Sequence, residues 1–364
     1  SRPAPAAARP AMTLAEHRAA IDRCDAEIVR LLNERTRHVL GIGELKRAGG
    51  QEIYVPSRER AVLQKIARLN GGPLTDASLH HIYREIMSSA LALEKPMLIA
   101  YFGPEATFTH QAAIRRFGKS VGYTAMKTIG DVFTEVAKGR AEYGVVPVEN
   151  STEGVVPHTL DMFVDSDLKI VAQIILPIQH CLLGKGPRGG VKKVFSHPQA
   201  LAQCRQWMQV HLPAAEVIEA SSTTRAAELA ARTKHSAAIA SALAAERYRL
   251  RLLEADIQDN PGNATRFLVL GRQCSPPTGR DRTSLMFSIV DAAGSLHRAL
   301  APFSRHRINM TRIESRPSKR KAWAYFFFVD VKGHTDEPRV TKAVAELQRW
   351  CSFVKVLGSY PDAG

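Results

Sequence analysis

The stretch Asp259-Asn260-Pro261-Gly262-Asn263-Ala264-Thr265-Arg266-Phe267, followed at once by Leu268-Val269-Leu270, reads as a polar turn feeding an apolar strand. Proline presets one backbone angle and the flanking asparagine and glycine tolerate the next, so the turn is fixed locally. The strand therefore opens on a hydroxyl and a guanidinium. Thr265 can donate or accept a hydrogen bond and the Arg266 fork suits a carboxylate, so with Phe267 behind them they form a candidate seat for a small anion. A surface turn before a core strand would look the same if it stood alone. It does not stand alone: Ser196-His197-Pro198-Gln199-Ala200 and Glu149-Asn150-Ser151-Thr152-Glu153-Gly154 also follow short apolar strands and carry polar side chains at the strand ends.

Working outward, strand-like runs at 98–102, 143–148, 170–178, 191–195, 217–220, 237–240 and 267–270 alternate with helical stretches. That alternation predicts an α/β domain over residues 97–272 with its site at the carboxyl ends of the strands. Thr107 follows the first strand, Asn150, Ser151 and Thr152 the next, and His197 and Gln199 open a helix whose free N–H groups favour an anion; Ser222 repeats the arrangement. Any one of these is also what an ordinary N-cap looks like, so their convergence with Thr265 and Arg266 carries the argument.

Before this domain, Thr13-Leu14-Ala15-Glu16 has capping-box spacing, and nothing breaks the helical pattern until Gly41 and then Gly49-Gly50. Leu14, Ile21, Ile28, Arg35 and Ile42, with Cys24, Leu31, His38 and Leu45, form a seam of heptad spacing. Arg35 in that seam needs an anion. Arg18 and Lys46 share an adjacent row over roughly 40 Å of helix, too far for one ligand, so a second, antiparallel copy would have to bring its Arg18 to Arg35 and Lys46. Pro56-Ser57-Arg58-Glu59 opens a second helix, and a third runs from Asp76 to Glu94, which continues the apolar line of Tyr83, Met87 and Ala90. After the α/β domain, residues 273–282 read as a linker, and the order strand, helix, strand, strand, helix, strand over 283–364 predicts a split βαβ, ferredoxin-like α+β domain.

Composition sets outer limits. The 364 residues suit two or three domains, and the apolar runs are too short to span a bilayer. Residues 1–12 lack the apolar core of a signal peptide and read as a disordered tail. Five scattered cysteines without a paired spacing suggest neither a metal site nor a disulfide framework and fit a cytoplasmic setting. The formal charge of +15 is spread along the whole chain and not interleaved with aromatics, which argues against nucleic acid as partner.

Taken together, the three polar segments resemble the signature segments of prephenate dehydratase, and the whole chain resembles a bifunctional chorismate mutase/prephenate dehydratase with a C-terminal ACT regulatory domain. The resemblance implies a mutase domain over 13–95, built as an interlocked all-α dimer, in which Arg18 of the partner copy, Arg35, Arg58 and Glu59 bind chorismate while Lys46 and Glu94 act on its ether oxygen. For 97–272 it implies two lobes around a cleft, as in a type II periplasmic binding protein, with the last strand returning to the first lobe and Thr265 as the catalytic hydroxyl acting on prephenate. For 283–364 it implies an ACT domain that binds phenylalanine through Gly294, Ser295, Leu296, Asn309, Glu314, Ser315, Arg316 and Pro317. It implies no cofactor, no metal, and a homodimer or higher homo-oligomer. Four positions depart from the family pattern: Val55 and Glu94 in the mutase segment, Ala106 where glycine is usual, and His297 beside the effector segment. Val55 and Glu94 motivate a second reading, a degenerate helical domain that only dimerises. A third, a non-catalytic amino-acid sensor, is opposed by the intact Thr-Arg-Phe segment.

Overall fold

The computed structural model describes residues 12–49, 56–94, 96–318 and 325–362; residues 1–11 of the expected tail and Val55 lie outside the described residues. Helix α1 (Leu14–Ala48) begins at the expected capping box, with the Thr13 backbone N–H donating to the Glu16 carboxylate at 2.7 Å and Glu16 N–H returning to the Thr13 hydroxyl at 3.3 Å. Helix α3 (Asp76–Glu94) packs against α2 (Pro56–Leu69) on one side and against the C-terminal part of α1 on the other. The N-terminal two-thirds of α1 stand bare. Leu14, Ile21, Ile28 and Leu31 of the heptad seam are about half exposed or more, and Leu45 is 76% exposed.

The α/β region forms two sheets. The first has the order β2 (Gly122–Met126), β1 (Leu98–Phe102), β3 (Tyr143–Asn150), β11 (Ala264–Gly271), β5 (Lys169–Pro177), with β4 (Gly154–Val155) paired to β3. The second has the order β10 (Arg251–Glu254), β6 (Cys181–Gly184), β9 (Ser236–Ala240), β7 (Lys193–Ser196), β8 (Glu216–Glu219). The chain leaves the first sheet after β5 and comes back only as β11, which runs antiparallel between β3 and β5. Two lobes with a returning last strand result. Helices α4 (Phe108–Phe117), α5 (Ile129–Ala137) and α6 (Pro157–Met162) cover the first sheet, while α7 (Pro198–Gln203), α8 (Arg205–His211), α9 (Thr223–Arg232) and α10 (Ala242–Tyr248) belong to the second lobe.

The expected linker 273–282 ends two residues early, because Asp281 and Arg282 already pair in β12 (Asp281–Ser288); with α11 (Ser295–Arg305), β13 (Met310–Pro317), β14 (Tyr325–Lys332), α12 (Pro338–Trp350) and β15 (Phe353–Pro361) it gives an antiparallel sheet of order β13-β14-β12-β15, the ferredoxin-like arrangement. This domain is not tethered loosely. Met286, Phe326, Phe328, Leu357 and Tyr360 share one apolar core with Val146, Val148, Ile170, Leu268 and Leu270 of the first lobe. Contact is so close that a Cβ on Gly358 would lie 2.8 Å from the Ile170 backbone nitrogen, which leaves room there only for glycine.

Candidate active sites

In the first lobe, strands β3 and β11 pair so that Asn150 stands opposite Thr265 and Glu149 opposite Arg266. The Asn150 carboxamide oxygen accepts the backbone N–H groups of Thr152 (2.9 Å) and Glu153 (3.0 Å), which fixes which end of the amide is oxygen. Its nitrogen must therefore donate, and it does so to the Asn263 oxygen and to the Thr265 hydroxyl oxygen, both at 2.8 Å. Thr265 is thereby used as an acceptor, leaving its proton for a ligand. The chain of polarity extends across the lobes. Asn263 donates to Gln203 Oε1 at 2.9 Å, the same oxygen that faces His180 Nε2 at 2.8 Å, and Gln203 Nε2 donates to the Glu153 carboxylate at 3.3 Å. Burial pushes the His180 imidazole below its ordinary range, outweighing the Gln203 contact, so it serves as a neutral N–H donor. Ser151 closes the turn, exchanging hydrogen bonds of 2.9 Å with the Ala264 backbone in both directions.

Other expected residues line up as caps. Thr107 caps α4 and donates to the Pro104 carbonyl at 2.9 Å; His197 caps α7, accepting from Gln199 N–H; Ser222 caps α9, accepting from Arg225 N–H at 3.0 Å. Ala106 has φ 64°, the left-handed region, which explains why glycine is usual there and implies strain on the order of 1 kcal/mol. Its carbonyl accepts from Ser241 of the second lobe at 2.9 Å.

Two residues fall elsewhere than expected. Phe267 is fully buried in the core between the first sheet and α4. Arg266 is not beside Thr265: the strand alternates, and the guanidinium emerges on the opposite face, where Nη1 meets Asp330 Oδ2 at 2.6 Å and Nη2 donates to the Tyr360 hydroxyl at 2.9 Å. Although burial opposes both charges, the pair wins: Arg266 is held above its ordinary range by the Tyr360 oxygen and the Asp330 carboxylate, and Asp330 below its own chiefly by the Arg266 charge. Asn263, Gln203 and His180 were not singled out in the sequence; Asn263 was read only as a turn former.

The helical domain holds a second site, a cavity of about 420 Å³ lined by Arg35 and Lys46 from α1, Arg58 and Glu59 from α2, and Glu94 from α3. The five positions come from three helices. Glu94 is buried, and its side chain lies against Gly43, where a Cβ would approach the carboxyl carbon to 2.6 Å. One buried nitrogen of Arg35, Nη1, has no hydrogen-bond partner among the described residues. Arg84 and, from the α/β domain, Arg116 also reach the cavity, Arg116 pairing with Glu59 at 3.3 Å; neither was expected from sequence. Arg18 is exposed, roughly 25 Å along α1 from Arg35, and does not reach this cavity.

In the C-terminal domain, Gly294 takes φ 76° and caps α11, and Ser295 is buried in the first turn. Glu314 and Arg316 are half-buried and Ser315 and Pro317 exposed on β13; Arg316 pairs with Asp161 of α6 at 3.3 Å. Asn309 lies at the opposite end of the sheet, where its carbonyl accepts from Lys332 N–H, because β13 pairs antiparallel with β14 from Met310–Val331 to Pro317–Tyr325.

Three family descriptions cover the chain in order: chorismate mutase type II over residues 17–95, prephenate dehydratase over 99–275 and ACT domain over 283–349. A bifunctional chorismate mutase/prephenate dehydratase of Aquifex aeolicus is 52% identical over 355 residues, 96% of this chain and 98% of the relative. The chain belongs to that family. As a bifunctional chorismate mutase/prephenate dehydratase, it also has structural neighbours. A prephenate dehydratase from Arthrobacter aurescens, solved in complex with L-Phe, matches with a TM-score of 0.69 and 32% identity over 73% of this chain and 90% of that one. A quorum-quenching acylase matches with a TM-score of 0.68 and 30% identity over 73% and 98%. Among the described residues no helix is long and apolar enough to cross a membrane.

Proposed function

We propose that the enzyme rearranges chorismate to prephenate in the helical cavity, converts prephenate to phenylpyruvate in the cleft around Thr265, and is feedback-inhibited by phenylalanine at the ACT domain, as a step of phenylalanine biosynthesis. The observation that carries this reading is the convergence of Arg35, Lys46, Arg58, Glu59 and Glu94 on one cavity. Chorismate rearranges without covalent help, so such a site must hold a flexible dianion in its compact conformer and stabilise charge on the breaking ether oxygen. Arg35, with a buried N–H unspent among the described residues, and Arg58 clamp carboxylates; Lys46, and Glu94 when protonated, donate to the ether oxygen; Glu59 accepts from the ring hydroxyl. The partner copy supplies Arg18, and the bare seam of α1 supports burial against that copy, giving a homodimer or higher oligomer.

In the cleft, prephenate takes up one proton and gives phenylpyruvate, carbon dioxide and water. The bond to the ring carboxylate breaks, its electron pair enters the ring, and the ring hydroxyl departs as water. Thr265 donates a hydrogen bond to that departing hydroxyl, since Asn150 already occupies its oxygen as a donor. Thr107, Ser151, Thr152, His197, Gln199 and Ser222 orient the substrate from strand and helix ends on both lobes. For the effector, Gly294–Leu296 and Glu314–Pro317 stand at one end of the ACT sheet and form the phenylalanine seat, with Asn309 supplied by a second copy.

The test is to incubate the purified protein with chorismate and, separately, with prephenate, following both products by chromatography, for wild type and Thr265→Ala. Wild type makes phenylpyruvate from both; the variant stops at prephenate. Product from prephenate alone would mean a silent helical domain, and no product from either, with the protein folded, would sink the enzymatic reading in favour of a sensor.

A further inference from the structure

Four charged residues are stacked directly behind the cleft. Along β3 and β11 the pair Asn150–Thr265 faces the polar relay, and the neighbouring pair Glu149–Arg266 is gripped by the ACT domain. Arg266 Nη1 meets Asp330 Oδ2 of β14 at 2.6 Å, and Arg312 Nε of β13 meets Glu149 Oε2 at 3.2 Å. Asp330 is fixed in turn by Ser284, whose hydroxyl donates to its second oxygen at 2.5 Å and also contacts the Tyr360 hydroxyl at 2.7 Å. Arg266, Asp330, Ser284 and Tyr360 are all at most 8% exposed. The Arg266–Asp330 half is thus a built, water-excluded clamp, while the Glu149 carboxylate at its edge is about one-third exposed.

We propose that Arg266 is a positioning residue and not a substrate ligand: held by Asp330, it fixes the β3–β11 register that aims Asn150 and Thr265, so that the ACT domain is a structural part of the dehydratase site. The physical reason is proximity in the chain. One peptide unit separates Thr265 from Arg266 and one separates Asn150 from Glu149, so a shift of either ionic residue's backbone reaches its cleft-facing neighbour directly. A displacement of about 1 Å at a reacting group costs on the order of a hundredfold in rate, whereas substrate contacts made by other groups are kept. The inference rests on the reading of Thr265 as the dehydratase hydroxyl.

The experiment compares full-length wild type, R266Q, D330N and the R266Q/D330N double variant, in which both buried charges are removed together. Dehydratase kcat and KM are measured on prephenate and mutase kcat on chorismate. The expected result is a tenfold or larger fall in dehydratase kcat, on the order of a 1 Å displacement, with KM within about threefold, for both single variants; a double variant no worse than the singles; and mutase unchanged. D330N that leaves kcat intact while R266Q raises KM would overturn the proposal and return Arg266 to the substrate. Single variants that lower only the melting temperature, with kcat retained, would overturn it by reducing the clamp to interdomain adhesive. Wild type that makes no phenylpyruvate from prephenate would refute the assigned activity instead, and with it the ground on which the clamp is proposed.

Discussion

Gly43→Ala is the perturbation that most sharply separates activity from stability in the mutase site. Gly43 sits inside α1, where the exchange of glycine for alanine normally favours the helix by roughly 0.8–1.0 kcal/mol. The added methyl, however, would stand 2.6 Å from the Glu94 carboxyl carbon, against an ordinary contact of 3.4 Å or more. The carboxyl must therefore retreat by about 1 Å. Because the contacts run from Glu94 Cγ, at 2.5 Å, to its carboxyl, the whole side chain must re-rotate, at a cost of about 1 kcal/mol that the helix gain offsets; a 1 Å misplacement of the group proposed to donate to the ether oxygen is worth on the order of a hundredfold in rate. The assay is the rate of chorismate loss together with a melting curve and the dehydratase rate on supplied prephenate. Expected are an equal or higher melting temperature, an unchanged dehydratase, and a mutase kcat/KM down by about two orders of magnitude. Mutase activity within about threefold of wild type, about 0.7 kcal/mol in barrier height, would refute both the placement of Glu94 and its role.

Three further outcomes follow from the same structure. A glutamate donates only when protonated, so mutase turnover falls as pH rises and Glu94→Gln flattens the profile; identical profiles for the two proteins would count against it. Arg18→Ala and Arg35→Ala each abolish mutase activity, and mixing the two under exchange conditions restores part of it, because one site of the mixed dimer regains both arginines; no recovery after verified exchange speaks against a shared site. The Asp330 carboxyl is held below its ordinary range against the opposing effect of burial, mainly by Arg266. A depressed carboxylate gives stability that is complete above its unfolded value, about pH 4, and lost as pH falls through the folded value, so the melting-temperature advantage of wild type over R266Q/D330N shrinks below about pH 4; a constant gap would contradict the pairing.

The elements themselves were written locally. The capping box at Thr13 and Glu16, the glycines after Ala48, the turn before Ala264 and the strand–helix alternation each depend on a few adjacent residues, and the observed α1, β11 and ACT order follow them. Two of the candidate positions in the helical domain were legible for the same reason: Arg35 interrupts an apolar seam and Glu94 continues an apolar line, and a charge in such a row has to point at something. The structure brings both, together with Lys46, to one cavity.

What the sequence could not carry was facing. In β11 the alternation of side chains says that Thr265 and Arg266 point to opposite sides, but both sides of this strand end in polar company, one in the cleft and one under the ACT sheet, so no local signal says which residue meets which. The same limit hid Asn263, Gln203 and His180, which are far apart in the chain and become one relay only when the second lobe folds over the first. Gly43 likewise looks like a helix defect until Glu94 is laid against it. Sequence by itself determined the elements, their order and the chemical types at the strand ends, because those arise from nearest neighbours. Tertiary structure alone decided that Arg266 belongs to Asp330, because the choice between two faces of a strand is made by what packs on each.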